Sequence, residues 1–219
     1  MHFTIKNLVS IKKQINFSLN KSINPEIPKI IAVSKTFGLD KIKPLIEYGH
    51  KDFGENKVQE AMHKWSDIKS KNPNINLHLI GSLQTNKVKF AVKLFDYIHS
   101  VDNEKLARKI SEEQKKHNKK VKIFLQVNIG DESQKSGVSK SSLSNLYSFC
   151  KSSDLDVVGL MCIPPFNTVA DKYFKEMNSL NQNLNLNYLS MGMSNDYLKA
   201  VENSATHLRI GSSIFGSRS

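Results

Sequence analysis

Cysteine is scarce. Cys150 and Cys162 are the chain's two, too few for a disulfide framework or a thiolate metal cage. A reducing, cytoplasmic setting is the expectation that follows. Arginine is scarce too. Of the 32 basic residues only Arg108, Arg209 and Arg218 are arginine, the remaining 29 being lysine. Readers of nucleic acid rely on clustered arginine forks interleaved with aromatic side chains. Here the lysines are scattered along the chain, so the net charge of +12 predicts no specific nucleic-acid partner. No apolar run approaches the roughly 20 residues of a membrane span. Lysines also interrupt the N-terminal stretch MHFTIKNLVSIKKQINFSLN, where a secretory signal would need a continuous apolar region, so it does not read as an export signal. Several chemistries lack their motifs: G-x-G-x-x-G after the first strand, G-x-x-x-x-G-K-[ST], H-E-x-x-H and G-x-S-x-G. No cluster of carboxylates and histidines suggests a catalytic metal.

What is present suits a globular domain. With 219 residues, 39% of them hydrophobic and 24% charged, the chain is long enough to build one core without covalent staples. No linker or compositional break divides it, and a single domain over 1–219 is expected. Short apolar, β-branched runs alternate with stretches of helical period. The strand candidates are 30–34, 52–54, 77–81, 97–101, 121–129, 157–163, 188–193 and 208–214. Helical stretches fall at 40–48, 57–70, 84–94, 103–117, 139–151, 168–181 and 196–203, with capping residues such as Asn103 and Ser139 at their starts. Such alternation implies crossover connections and a parallel sheet. Eight units in this length favour a (β/α)8 TIM barrel over a doubly wound open sheet. A helix over 5–19 would precede the first strand and cover the barrel's bottom or flank.

In such a barrel, chemistry belongs at the C-terminal ends of the strands. Lys35 ends the run IIAVSK. Two readings stand there: a strand-capping lysine in water, or an amine that partial desolvation makes nucleophilic toward a carbonyl. The last two strand ends, MGMS at 191–194 and RIGSSIFG at 209–216, are rich in small residues. They suit either tight turns or a phosphate cradle of backbone N–H groups. A lysine amine and a phosphate cradle together suit a phosphorylated aldehyde such as pyridoxal 5′-phosphate (PLP).

Eight segments, in order, carry a resemblance: IAVSKT (31–36), FGENKVQE (53–60), HLIGSLQTNK (78–87), SVD (100–102), VNIGDESQKSGV (127–138), GLMCIPP (159–165), LSMGMSNDYLKAV (189–201) and RIGSSIFGSR (209–218). The chain resembles the YggS/PROSC family of pyridoxal phosphate homeostasis proteins. The resemblance implies a single fold-type III barrel like the alanine racemase N-terminal domain, with PLP held covalently on Lys35 as a Schiff base. It places Asn56 near the cofactor's ring oxygen, Met193, Ser194, Gly211 and Ser212 around its phosphate, and Arg209 opposite the pyridine nitrogen. An arginine there keeps the ring unprotonated and a weak electron sink. That points to a carrier or buffer of PLP in vitamin B6 homeostasis, without robust catalysis. A PLP-dependent amino-acid racemase is the alternative.

With the sequence ending at Ser219, just after the last strand's motif, no second domain of the kind that supplies a racemase's opposing tyrosine and its dimer surface is expected. A monomer is therefore expected, with PLP-dependent apo-enzymes as transient contacts. Ser204 stands where the family usually has glycine, and Lys135 matches a family lysine in the loop after the fifth strand.

Overall fold

The structure is a computed structural model that describes residues 1–19, 27–166 and 168–217. Arg218 and Ser219, the ends of the last motif and of the expected domain, lie outside the described residues.

Eight strands form a closed barrel in chain order: β1 (Lys29–Val33), β2 (Asp52–Glu55), β3 (Asn76–Leu79), β4 (Tyr97–Val101), β5 (Lys122–Gln126), β6 (Asp156–Met161), β7 (Tyr188–Ser190) and β8 (His207–Ile210). Every neighbouring pair is parallel, and β1 closes on β8 with Ile31 opposite Arg209. The helices are α1 (Phe3–Leu19), α2 (Leu39–Glu47), α3 (Val58–Lys71), α4 (Val88–Leu94), α5 (Glu104–His117), α6 (Leu143–Ser152), α7 (Ala170–Asn183), α8 (Tyr197–Glu202) and the four-residue α9 (Ser212–Phe215).

Local chemistry sets several boundaries. The Asn103 side chain accepts the Leu106 N–H at 2.9 Å, and α5 then runs from Glu104 to a basic last turn that suits the helix dipole. Ser139 accepts the Ser142 N–H and opens the 3₁₀ turn leading into α6. The expected strands exist, but some are shorter than their apolar runs. The eighth, expected over 208–214, stops at Ile210; Gly211 breaks the extended run, and Ser212–Phe215 turn into α9. The seventh, expected over 188–193, stops at Ser190, and Gly192 adopts φ 89°.

The N-terminal helix lies on the barrel's flank. Leu8, Ile11, Ile15 and Leu19 are its buried stripe, and Asn7 Nδ2 donates to the Ile214 carbonyl at 3.0 Å, which ties α1 to α9. The main core sits between sheet and helices. A second, smaller one fills the barrel itself: Tyr97, Phe124 and Met161, with His78, His99 and His207 packed on the aromatic rings.

Candidate functional site

Lys35 stands two residues beyond the end of β1, after Ser34, and is half-buried. It lines a cavity of about 220 Å³ at the C-terminal mouth of the barrel, together with Asn56, Met193, Arg209, Gly211 and Ser212. Val33, Phe37, Ile80 and Ile163 add apolar walls. Six of the seven residues singled out by sequence thus share one cavity. The seventh, Ser194, stands behind it: its Oγ accepts the Ser213 N–H at 3.3 Å, joining the loops after β7 and β8. The Met193 N–H is donated to Asp196 Oδ1 at 2.6 Å. Lys135 lies outside this cavity, in an ion pair with Glu132 at 2.6 Å, and lines an adjoining one of about 400 Å³.

Arg209 is the most constrained of the six. It is 4% exposed; Nη1 donates to Ser190 Oγ at 2.7 Å and Nη2 to the Cys162 carbonyl at 2.8 Å. Among the described residues no carboxylate forms an ion pair with it. Burial lowers its pKa from the usual guanidinium value, the largest effect, opposed by Cys162 and Asp196. A buried cation whose bonds go to neutral acceptors is costly unless a ligand gains from it. Here it faces a cavity.

The peptide carrying Lys35 is also held. Lys64 Nζ donates to the Ser34 carbonyl at 2.9 Å, and Glu60 Oε1 accepts the Thr36 N–H at 2.9 Å. Thr36 takes φ 66°, a left-handed conformation that a β-branched residue rarely adopts. Sequence alone assigns no role to Glu60 or Lys64, although Glu60 lies in the FGENKVQE motif. Their spacing, i and i+4 on α3, was the available signal.

A larger cavity, about 430 Å³, opens at the opposite mouth beside Lys12, Lys29, His50 and Asp52. Size alone does not select it, since a barrel's chemistry lies at the C-terminal mouth, where Lys35 and Arg209 meet.

A closed eight-stranded parallel barrel with a lysine after β1 and an arginine within β8 defines a class. The chain belongs to the family described as alanine racemase, N-terminal domain, which matches residues 7–219. Within that class it belongs with the pyridoxal phosphate homeostasis proteins. It is 34% identical to the protein of that name from Pasteurella multocida (strain Pm70), over 97% of each chain. PipY of Synechococcus elongatus PCC7942 has been solved without and with PLP bound. At 31% identity, the PLP-free form superposes with a TM-score of 0.85, covering 98% of this chain and 100% of PipY. The PLP-bound form gives 0.82 over 97% and 100%. Alanine racemase from Clostridium difficile 630 shares the fold, with a TM-score of 0.69 at 16% identity over 94% of this chain and 57% of the racemase. Among the described residues no helix is long and apolar enough to cross a membrane.

Proposed function

We propose that this chain binds PLP at the C-terminal mouth of the barrel and serves intracellular vitamin B6 homeostasis as a carrier or buffer. The observation that carries the reading is the meeting in one cavity of Lys35 and the buried Arg209, which has no ion-paired carboxylate among the described residues. The names of the relatives and the PLP-bound PipY structure support it.

The donor set fits the cofactor. Bound PLP supplies an aldehyde carbon, which a lysine amine joins as a Schiff base with loss of water, plus a pyridine nitrogen and a phosphate. Lys35 would make that bond. Ser194, Gly211 and Ser212 would hold the phosphate, with Met193 beside them, and Asn56 would approach the ring oxygen. Arg209 would donate to the pyridine nitrogen. A guanidinium keeps its proton, so this partner leaves the ring unprotonated and poor at stabilising a carbanion. The arrangement holds the cofactor more than it exploits it. In this reading 1–219 act as one cytoplasmic domain, monomeric, passing PLP to apo-enzymes by transient contact.

The test is a PLP titration followed by absorbance, borohydride reduction and peptide mapping. A pyridoxyl tag on Lys35, lost in Lys35→Ala, is the expected result. Tags scattered over surface lysines would overturn the reading. Sustained turnover of L-amino acids by the loaded wild type, abolished in Lys35→Ala, would replace the carrier with a racemase-like enzyme.

A further inference from the structure

Five polar side chains stand in series inside the barrel. Asp52 Oδ1, at the start of β2, is 3.0 Å from His78 Nε2 on β3. His78 Nδ1 is 3.0 Å from His99 Nε2 on β4. His99 Nδ1 is 2.9 Å from Ser190 Oγ, which accepts from Arg209 Nη1 at 2.7 Å. Asp52 and Arg209 line the cavities at opposite mouths, so the series spans the barrel.

The two ends give the series a direction. A carboxylate only accepts and a guanidinium only donates. His78 therefore carries its proton on Nε2, which leaves Nδ1 bare in the neutral ring. His99 must then donate from Nε2, leaving its own Nδ1 to accept the Ser190 hydroxyl proton. Every hydrogen bond runs from guanidinium to carboxylate, and one wrong tautomer would set two donors or two acceptors face to face.

The surroundings keep both rings neutral. His78 and His99 are fully buried. Desolvation lowers the pKa of His78, outweighing the opposing pull of Asp52 and Asp96, while Lys29 adds to the lowering. His99 is lowered by desolvation, then by His78, His207 and Arg209. Tyr97 stacks on His78 and Phe124 on His99, bracing both rings.

We propose that Asp52, His78 and His99 are positioning residues that act through Ser190 on Arg209: their one-way hydrogen-bond chain fixes the guanidinium at the cavity and supplies a remote counter-charge to a cation that has no ion-paired carboxylate among the described residues. The part concerning PLP rests on the functional reading above.

Two measurements test it. In the PLP-free protein at neutral pH, ¹⁵N NMR should show His78 and His99 each as a single Nε2–H tautomer. The Arg209 terminal nitrogens should give separate signals that merge in Ser190→Ala and in His99→Leu. Either ring as the Nδ1–H form, or Arg209 signals unchanged by these substitutions, would overturn the proposal even if PLP never binds. In the PLP titration His99→Leu should raise Kd roughly tenfold, the scale of one lost buried hydrogen bond. His99→Gln, whose amide offers a donor and an acceptor on one side chain, should recover most of that loss. The comparison is His207→Leu, from the same ring cluster but outside the chain. Equal losses in His99→Leu and His207→Leu without rescue by glutamine would make these residues structural only and sink the proposal. Failure of the wild type to take up PLP would sink the functional reading instead, and the NMR result would still decide the chain.

Discussion

The ammonium of Lys64 donates to the main-chain carbonyl of Ser34 at 2.9 Å and so grips, from outside the barrel, the residue that precedes Lys35. The same nitrogen is 3.0 Å from Glu55 Oε1, and Glu55 is fully buried. That oxygen also accepts from Ser34 Oγ at 2.7 Å and Trp65 Nε1 at 3.0 Å. Removing the cation strands a buried carboxylate, a change that costs about 3–5 kcal/mol in buried pairs. Lys64→Met is therefore expected to destabilise the fold by about 3 kcal/mol and to loosen PLP binding by freeing the Lys35 peptide. Urea unfolding and a PLP titration check both. A variant of wild-type stability would show that the clamp contributes nothing.

Ser204 occupies φ 67°, a conformation that favours glycine, and its side chain is exposed. The left-handed region costs a non-glycine residue about 1 kcal/mol or more. Ser204→Gly should therefore stabilise the protein by about 0.5–1 kcal/mol, despite glycine's greater freedom when unfolded. For a chain of this size that is a rise in Tm of about 1–2 °C. An unchanged or lower Tm by calorimetry would mean that the turn before β8 is not strained.

The barrel was legible because its strands are short apolar runs separated by helical periods, a pattern that survives without any tertiary information. Strand ends were less so. In GSSIF the apolar Ile214 reads as the end of β8, yet it is a buried residue of α9. Lys35 and Arg209 stood out in sequence, one by its place after an apolar run and the other by its rarity. The chain from Arg209 to Asp52 did not. His99 and Ser190 are 91 residues apart, and only closure of the barrel makes them neighbours. No local period marks a side chain whose partner comes from another strand. The grip of α3 on Ser34 was hidden for the same reason: the pair is 30 residues apart.

Gly81 is where β3 hands over to its loop, and it sits hard against Asn56. A Cβ added there would lie 2.4 Å from the Asn56 carbonyl oxygen and 2.9 Å from its Cα. Both contacts are to backbone, so no side-chain rotation relieves them. The Gly81 carbonyl is itself fixed by Ser100 Oγ at 2.7 Å. Gly81→Ala is thus expected to push Asn56 away from the cavity, at a stability cost of about 1–3 kcal/mol. PLP Kd should rise while borohydride tagging stays on Lys35. Unchanged affinity would remove Asn56 from the binding residues.

The buried histidines make stability depend on pH in one direction. Burial is the largest cause that lowers the pKa of His207 to about 3, with His78 and Lys29 adding to it and Asp52 opposing. Burial likewise brings His50 down to about 4, against the raising influence of Asp52. In the unfolded chain both titrate near 6.5. Between pH 6.5 and about 4 the unfolded chain therefore binds protons that the folded one refuses, and stability falls as pH falls. Above 6.5 the full stability is present; below about 4 His50 protonates in place and its share of the loss stops growing. Each histidine contributes up to about 1.4 kcal/mol per pH unit in that window. His207 carries more of it, being 1% exposed, whereas His50 is half-buried and partly screened by water. From these two histidines urea unfolding should show a loss of about 3 kcal/mol between pH 7 and pH 5, with His78 and His99 adding to it in the same direction. His207→Leu, which removes one buried titrating ring, should flatten that slope by up to about 1.4 kcal/mol per unit. A wild-type profile flat from pH 7 to 5 would mean that these rings are wet enough to protonate in the folded protein, and the neutral state of His78 and His99 beside them would lose its electrostatic basis.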